Sequence, residues 1–282
     1  MVHPKKLVFH FYAGEDWEKS PIYCLHKYFL TKYSGIFDSA EFYIAVNDLN
    51  DKATIESVEH FLIGCGFKDV RFFVQKNTWM CEAETLKQHV IDNLKHEDSH
   101  IFFAHSKGVM DYQNKGVEKD TLLTWITALY YLNLEYSKEA EWAFLNANSV
   151  FFGGLMELYN GNHTQAHAPK NDWLYCGGFY WINCPELLSR FGEEIPYPYD
   201  RFYGENLPGN LCKHYDYEAY SHNYMMIPSW EFDRAGATYD SVYSKTKKWN
   251  CLILKLKKQH KFLMTIFLNL KWHEIVRGNN NI

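Results

Sequence analysis

Ile101-Phe102-Phe103-Ala104-His105-Ser106-Lys107-Gly108 turns abruptly from an apolar, aromatic run to a basic, hydroxyl-bearing one. Ile101 to Ala104 is long enough for one buried strand and predicts a strand that stops at His105. Open α/β sheets bind ligands beyond the carboxyl ends of their strands. The turn therefore delivers an imidazole, a hydroxyl and an ammonium to the place where such folds do chemistry. Taken alone, the stretch reads equally well as a strand followed by a solvated polar turn. The flanking sequence has to decide.

Upstream, strand and helix patterns alternate with short links. Leu7 to Tyr12 predicts a first strand ending at Ala13-Gly14. Pro21 to Tyr33 has helical spacing behind Ser20, an N-cap type followed by proline at the first helical position. Glu41 to Val46 predicts a second strand, ending at Asn47-Asp48, and Thr54 to Ile63 a helix that stops at Gly64. Asp69 to Val74 predicts a third strand and Glu84 to Leu94 a further helix. The β-α-β-α-β-α-β order implies a mostly parallel sheet covered by helices. The strand ends gather Tyr12, Asn47, Asp48, Gln75, Asn77 and His105 to Gly108 along one edge. No G-x-G-x-x-G follows the first strand and no G-x-x-x-x-G-K-[ST] occurs, so dinucleotide and P-loop readings lose support.

Downstream, Asp120 to Tyr136 and Glu139 to Ala147 predict helices, and Asn160 to Lys170 a polar loop with His163 and His167. Asp172 to Ile182 places Gly177-Gly178 between aromatic runs. Paired glycines permit close backbone approach or positive φ. Trp173 and Tyr175 would then offer flat apolar faces for a pyranose ring. A core hairpin with a Gly-Gly turn is the competing reading. In Arg201-Phe202-Tyr203-Gly204-Glu205-Asn206, Glu205 suits a general base in a cleft or a helix N-terminal acid without a chemical role.

Composition bounds the function classes. The chain has 282 residues, 47% hydrophobic and 18% aromatic, which fits one large domain or two small ones. A net charge of −5 gives no reason to expect nucleic acid. Seven cysteines without a C-x-x-C pair argue for reduced thiols in a cytoplasmic setting. The N-terminal residues lack the apolar core of a signal peptide, and no apolar run is long enough to span a bilayer.

Three pieces in order carry a resemblance. His105-Ser106-Lys107-Gly108 resembles the His-Thr-Lys-Gly segment of a family of glycosyltransferases from bacterial capsule and surface-polysaccharide loci, found also in some viruses and eukaryotes. Tyr175-Cys176-Gly177-Gly178-Phe179-Tyr180-Trp181 is similar to that family's Tyr-Ser-Gly-Asn-Phe-Trp-Trp motif, and Arg201 with Glu205 to its later Arg…Glu pair. His10-Phe11-Tyr12 resembles its opening strand. The second half is also similar in layout to GT-A galactosyltransferases. The resemblance covers residues 7 to 210 and implies a GT-A-like, Rossmann-like α/β fold. In this reading 1–242 form the catalytic domain, with 1–110 the nucleotide-binding half and 111–242 the acceptor half.

The same resemblance implies a nucleotide diphosphate sugar as donor and a glycan or lipid-linked glycan as acceptor. Glu205 would be the base and Lys107 the charge on the leaving phosphates, with transfer to a hydroxyl by inversion. Phe11, Tyr12, Ala13, Asn47, His105, Ser106 and Gly108 would bind the donor. Trp173, Tyr175, Gly177, Gly178 and Arg201 would bind the acceptor. A departure is the missing Asp-x-Asp that holds Mn²⁺ or Mg²⁺ in GT-A enzymes; Asp16-Trp17-Glu18 and Asp216-Tyr217-Glu218 do not follow the fourth strand. Lys107 can replace the metal as a fixed charge, or His105 can ligate an ion with His214 or His222. The cofactor stays undecided between these. A protein that binds nucleotide sugars or glycans without catalysis is the alternative function.

Residues 243–282 differ in character. Lys255, Lys257, Lys258 and Lys261 alternate with Leu252, Leu256, Leu263, Ile266 and Leu270 at helical spacing. This predicts a basic amphipathic helix, suited to an anionic membrane surface at the inner face of the cell membrane. It suits equally a helix packed on the catalytic domain.

Overall fold

A computed structural model describes residues 3–14, 17–109, 119–158, 173–192, 195, 203–212, 219–221 and 224–225. The C-terminal helix expected over 243–282, the loop at 160–170, Arg201, His214, His222, Asp16 and the Asp216-Tyr217-Glu218 triplet lie outside them. Strand β1 (Lys5–Tyr12) leads through α1 (Pro21–Tyr33) to β2 (Ser39–Val46), α2 (Lys52–Ile63) and β3 (Val70–Lys76). Then come α3 (Glu82–Thr85), a π-helical segment (Leu86–Ile91) and β4 (His100–His105). The rest comprises α4 (Lys119–Leu134), α5 (Ser137–Asn146), β5 (Phe151–Gly153), β6 (Met156–Leu158), β7 (Trp173–Tyr175), β8 (Tyr180–Asn183), α6 (Cys184–Phe191), α7 (Tyr203–Leu211), β9 (Ala219–Ser221) and β10 (Tyr224–Met225).

The main sheet runs β3-β2-β1-β4-β8-β5-β9. Its first four strands are parallel, β8 is antiparallel to both β4 and β5, and β9 is parallel to β5. The fold is therefore α/β, with a mostly parallel mixed sheet flanked by helices. Alternate residues of β1 explain why both faces are covered. Leu7, Phe9 and Phe11 join a core with α1, α2, α4 and α5, while Val8 joins one with α3, α6 and α7. A strand buried on both faces is a near-continuous apolar run, as Leu7-Val8-Phe9 is. Among the described residues no helix is long and apolar enough to cross a membrane.

Three local expectations need correction. The fourth strand does not stop at Ala104, because His105 completes it in register with His10. The helix expected over 84–94 is broken into α3, the π-helical segment and a 3₁₀ turn over Leu94–His96. Gly177-Gly178 is not a hairpin turn. β7 pairs with β6 in a small second sheet, β10-β6-β7, whereas β8 lies between β4 and β5 in the main one. The glycines carry the chain from one sheet to the other. Caps follow the sequence unevenly: Asp51 accepts from the Thr54 N–H at 3.1 Å, but the Ser20 side chain caps nothing.

Candidate functional site

The parallel register brings His10 and His105 side by side at the carboxyl ends of β1 and β4. Beyond them the chain turns sharply. The Ser106 N–H donates to the His10 carbonyl at 2.9 Å, and the Tyr12 N–H donates to Ser106 Oγ at 2.9 Å. Ser106 therefore ties two strand ends together. The carbonyl of Lys107 accepts from His26 Nε2 on α1 at 3.1 Å. A carbonyl only accepts, so that nitrogen carries the proton. Nδ1 of His26 is then the acceptor for the Tyr130 hydroxyl of α4, 2.8 Å away. Burial holds His26 down to about 3, against the pull of its bond to Lys107. The backbone of Lys107 is thus fixed from behind by a neutral histidine, and its side chain points to the site.

The second wall is the Cys176–Gly178 turn. Gly177 and Gly178 have φ of +69° and +68°, a region closed to most L-residues. A Cβ on Gly177 would stand 2.6 Å from Leu129 Cδ1. His105 Nε2 meets the Gly177 carbonyl at 2.8 Å, so it is the proton-bearing nitrogen. Burial lowers the His105 imidazole to about 3, and the neighbouring Lys107 ammonium pushes the same way. A neutral imidazole whose Nε2–H is committed to main chain is a brace for this turn. Binding a metal through Nε2 would break that brace.

Helix α7 forms the third wall. Pro208 lies inside it and supplies no N–H to the carbonyl four residues back, that of Gly204. The Tyr180 hydroxyl of β8 donates to this carbonyl instead, at 2.8 Å. The far end of the helix is seated on β7: a Cβ on Gly209 would lie 2.0 Å from the Trp173 carbonyl oxygen. Glu205, in the first turn, is thereby held to the main sheet and to the small one.

These walls meet. Lys107 Nζ donates to Glu205 Oε1 at 3.1 Å, joining residues 98 apart in sequence. Their side chains are 26% and 20% exposed, so the pair is reachable from solvent. Gly178 faces the same place, since a Cβ there would lie 3.5 Å from His105 Nε2 and 3.7 Å from Glu205 Cγ. Glu82 of α3 closes the group, with Oε1 4.0 Å from His105 Nε2 and Cγ beside Gly204. Behind it, His10 Nδ1 lies 2.8 Å from Thr85 Oγ1, which also accepts from Gln75 Nε2 at 3.0 Å. Burial lowers His10 to about 4, with Glu82 opposing and His105 reinforcing. Both histidines beneath the site are therefore neutral at pH 7, and its charge is carried by Lys107, Glu205 and Glu82. Among the described residues no group of three His, Cys, Asp or Glu side chains is placed to hold a metal ion.

The structure brings together His105, Lys107, Gly177, Gly178 and Glu205 of the residues picked from sequence. Gly108, at φ +84°, closes the turn behind Lys107. Others are placed differently. Trp173 and Tyr175 are 2% and 0% exposed, and the Trp173 indole N–H donates to the Cys212 carbonyl at 3.1 Å. Their rings build core and present no face to a sugar. Phe11 is likewise packed between Trp17, Tyr23 and Phe61. Ala13 is buried, with its N–H on the Ala45 carbonyl. Asn47 stands exposed at the end of β2 and accepts from Asn77 Nδ2 at 3.3 Å. His26, Glu82 and Tyr180 went unread as site residues. Only Pro208 four residues after Gly204 hinted at one of them, by predicting a carbonyl in need of a donor.

No protein-family model matches this chain, and no curated protein matches it.

Proposed function

We propose that this protein is a GT-A-like glycosyltransferase that moves a sugar from a nucleotide diphosphate sugar to a hydroxyl of a surface glycan, such as a capsule or lipopolysaccharide chain. The observation that carries the reading is the meeting of Lys107 and Glu205 over Gly178, beyond the carboxyl ends of parallel strands. A fixed ammonium suits an anionic leaving group, and an acid beside a Cβ-free floor suits an acceptor hydroxyl.

In the resting site Lys107 and Glu205 neutralise each other. The donor's diphosphate takes over the Lys107 ammonium, and Glu205 is released toward the acceptor. The acceptor oxygen gives its proton to Glu205 and attacks the anomeric carbon. The bond from that carbon to the phosphate oxygen breaks, and the nucleoside diphosphate leaves with the electron pair. Attack opposite the leaving group inverts the anomeric centre. A divalent cation beside the diphosphate would share the work of Lys107.

One observation favours the alternative of a nucleotide-sugar or glycan-binding protein: the Lys107–Glu205 pair satisfies the two groups that chemistry would need. Donor consumption separates the two. A thermal-shift screen of nucleoside diphosphates and nucleotide sugars, with Mn²⁺ and with EDTA, identifies the donor class through linkage. Glu205→Gln should then lower transfer by about 10²-fold or more while donor binding persists. Turnover equal to that of the wild type removes Glu205 as base, and a donor that is bound but never consumed favours the binding protein.

A further inference from the structure

Strand β3 is one edge of the main sheet. Sheet edges are usually blunted by short strands, proline, bulges or central charges. At the opposite edge, β9 has only three residues. β3 has seven, contains no proline and pairs with β2 without a bulge. Its two charges, Arg71 and Lys76, flank an apolar centre, Phe72-Phe73-Val74. Every second residue of a parallel strand turns its N–H and C=O to one neighbour. The Asn77 N–H donates to the Val46 carbonyl at 2.7 Å, and the Asp69 carbonyl accepts from the Ala40 N–H at 2.8 Å. The odd-numbered residues of β3 therefore face β2. The backbone groups of Val70, Phe72, Val74 and Lys76 point outward, and among the described residues nothing pairs with them. Side chains repeat the signal. Phe73 and Val74, on opposite faces of β3, are 38% and 41% exposed. Leu49 and Trp79, beyond the ends of β2 and β3, and Ile63, at the end of α2, are more than half exposed. Five of the eight exposed large hydrophobic residues among those described thus gather around this edge, as at an association surface.

A strand that completes this edge needs an apolar centre and must set no cation against Arg71 or Lys76. β3 meets both demands itself. Laid antiparallel over its full length, it brings Phe73 of two copies together on a two-fold axis. Phe72 then stands opposite Val74, Arg71 opposite Gln75, and Val70 opposite Lys76. No like charges meet, and outward-facing residues oppose outward-facing ones, as an antiparallel ladder requires. We propose that this protein forms a two-fold dimer in which the β3 strands of two copies pair antiparallel and join their sheets into one. About eight backbone hydrogen bonds would close the edge. The axis consumes both β3 edges and leaves only the short β9 edges outside, so assembly stops at two copies. Strand direction reverses across the axis, so the two Lys107–Glu205 sites open on opposite sides of the dimer. The inference therefore stands apart from the proposed activity.

Sedimentation equilibrium on the full chain gives the oligomeric state, and wild type should be a dimer. Val74→Pro removes an outward N–H that bonds nothing within the chain, a place where an edge strand tolerates proline. Its melting curve should stay cooperative, while the dimer dissociation constant rises at least about tenfold. Cross-linking reads the register. On the axis the two Cβ atoms at position 73 would lie about 4.5–5.5 Å apart. Mild oxidation should therefore link Phe73→Cys into a covalent dimer. Val74→Cys, which faces Phe72, should not exceed the level that wild type reaches through its own seven cysteines. A monomeric wild type overturns the proposal. So does a dimer that V74P leaves intact, because its interface would lie elsewhere. A dimer linked by V74C and not by F73C overturns the register and the self-complementarity on which the proposal stands. If V74P fails to fold, the two cysteine variants decide.

Discussion

Removing the Tyr180 hydroxyl should cost more than a buried phenol usually does, and the reason lies in a helix on another part of the chain. Pro208 deprives the Gly204 carbonyl of its helical donor, and Tyr180 replaces it at 2.8 Å. Tyr180 is 0% exposed and Gly204 is buried, so water does not reach the carbonyl once the hydroxyl is gone. Tyr180→Phe should then cost about 1–3 kcal/mol, the range for a buried acceptor left without a donor. Pro208→Ala restores a backbone N–H aimed at the same carbonyl. In that background Tyr180→Phe should cost under about 1 kcal/mol, giving a coupling of about 1 kcal/mol or more between residues on different elements. Urea denaturation of the four proteins measures this. Glu205 follows Gly204 directly, so Y180F should also blunt the thermal shift caused by the nucleotide. Equal costs of Y180F in both backgrounds would refute the argument, because Gly204 would then be held by helix geometry alone.

Two further outcomes follow from the buried histidines and the glycine turn. His10, His26 and His105 have folded values lowered to about 4, about 3 and about 3, chiefly by burial, against an ordinary value near 6.5. Below that value the unfolded chain binds protons and the native one does not, so stability is full above about pH 6.5 and falls as pH drops toward 4. Each histidine should remove about 1.3 kcal/mol between pH 7.0 and 5.5, or about 4 kcal/mol for the three. Denaturation midpoints that stay constant across this interval would show that these rings are protonated in the native state. Gly177→Ala places a Cβ 2.6 Å from Leu129 Cδ1 at φ +69° and should destabilise by about 2 kcal/mol or more. It should also shift the His105 ring resonances in NMR spectra, because the carbonyl that His105 holds must move; unchanged resonances would separate the brace from the turn.

The parallel half of the sheet was legible because its signal is local. Leu7-Val8-Phe9, Phe42-Tyr43-Ile44 and Ile101-Phe102-Phe103 are apolar runs closed by polar residues, and helical spacing between them forces crossover connections. The second half was less so. Phe151–Gly153, Met156–Leu158 and Trp173–Tyr175 are short strands of three residues each. Such strands carry no periodicity that would tell which sheet they join. Aromatic richness around Gly177 is equally consistent with a ligand face and with a core, and burial of Trp173 and Tyr175 settled it for the core.

For the site, sequence alone determined which kinds of group stand at a strand end: an imidazole, a hydroxyl and an ammonium after β4, and an acid beside a glycine at the start of α7. Residue type fixes charge and proton capacity wherever the chain goes. Tertiary structure alone decided what those groups do to one another. It joined Lys107 to Glu205, and it turned His105 and His26 into neutral braces by taking them out of water. Each depends on distance and burial between residues far apart in the chain, and pairing and desolvation are properties of the folded environment that no local pattern encodes.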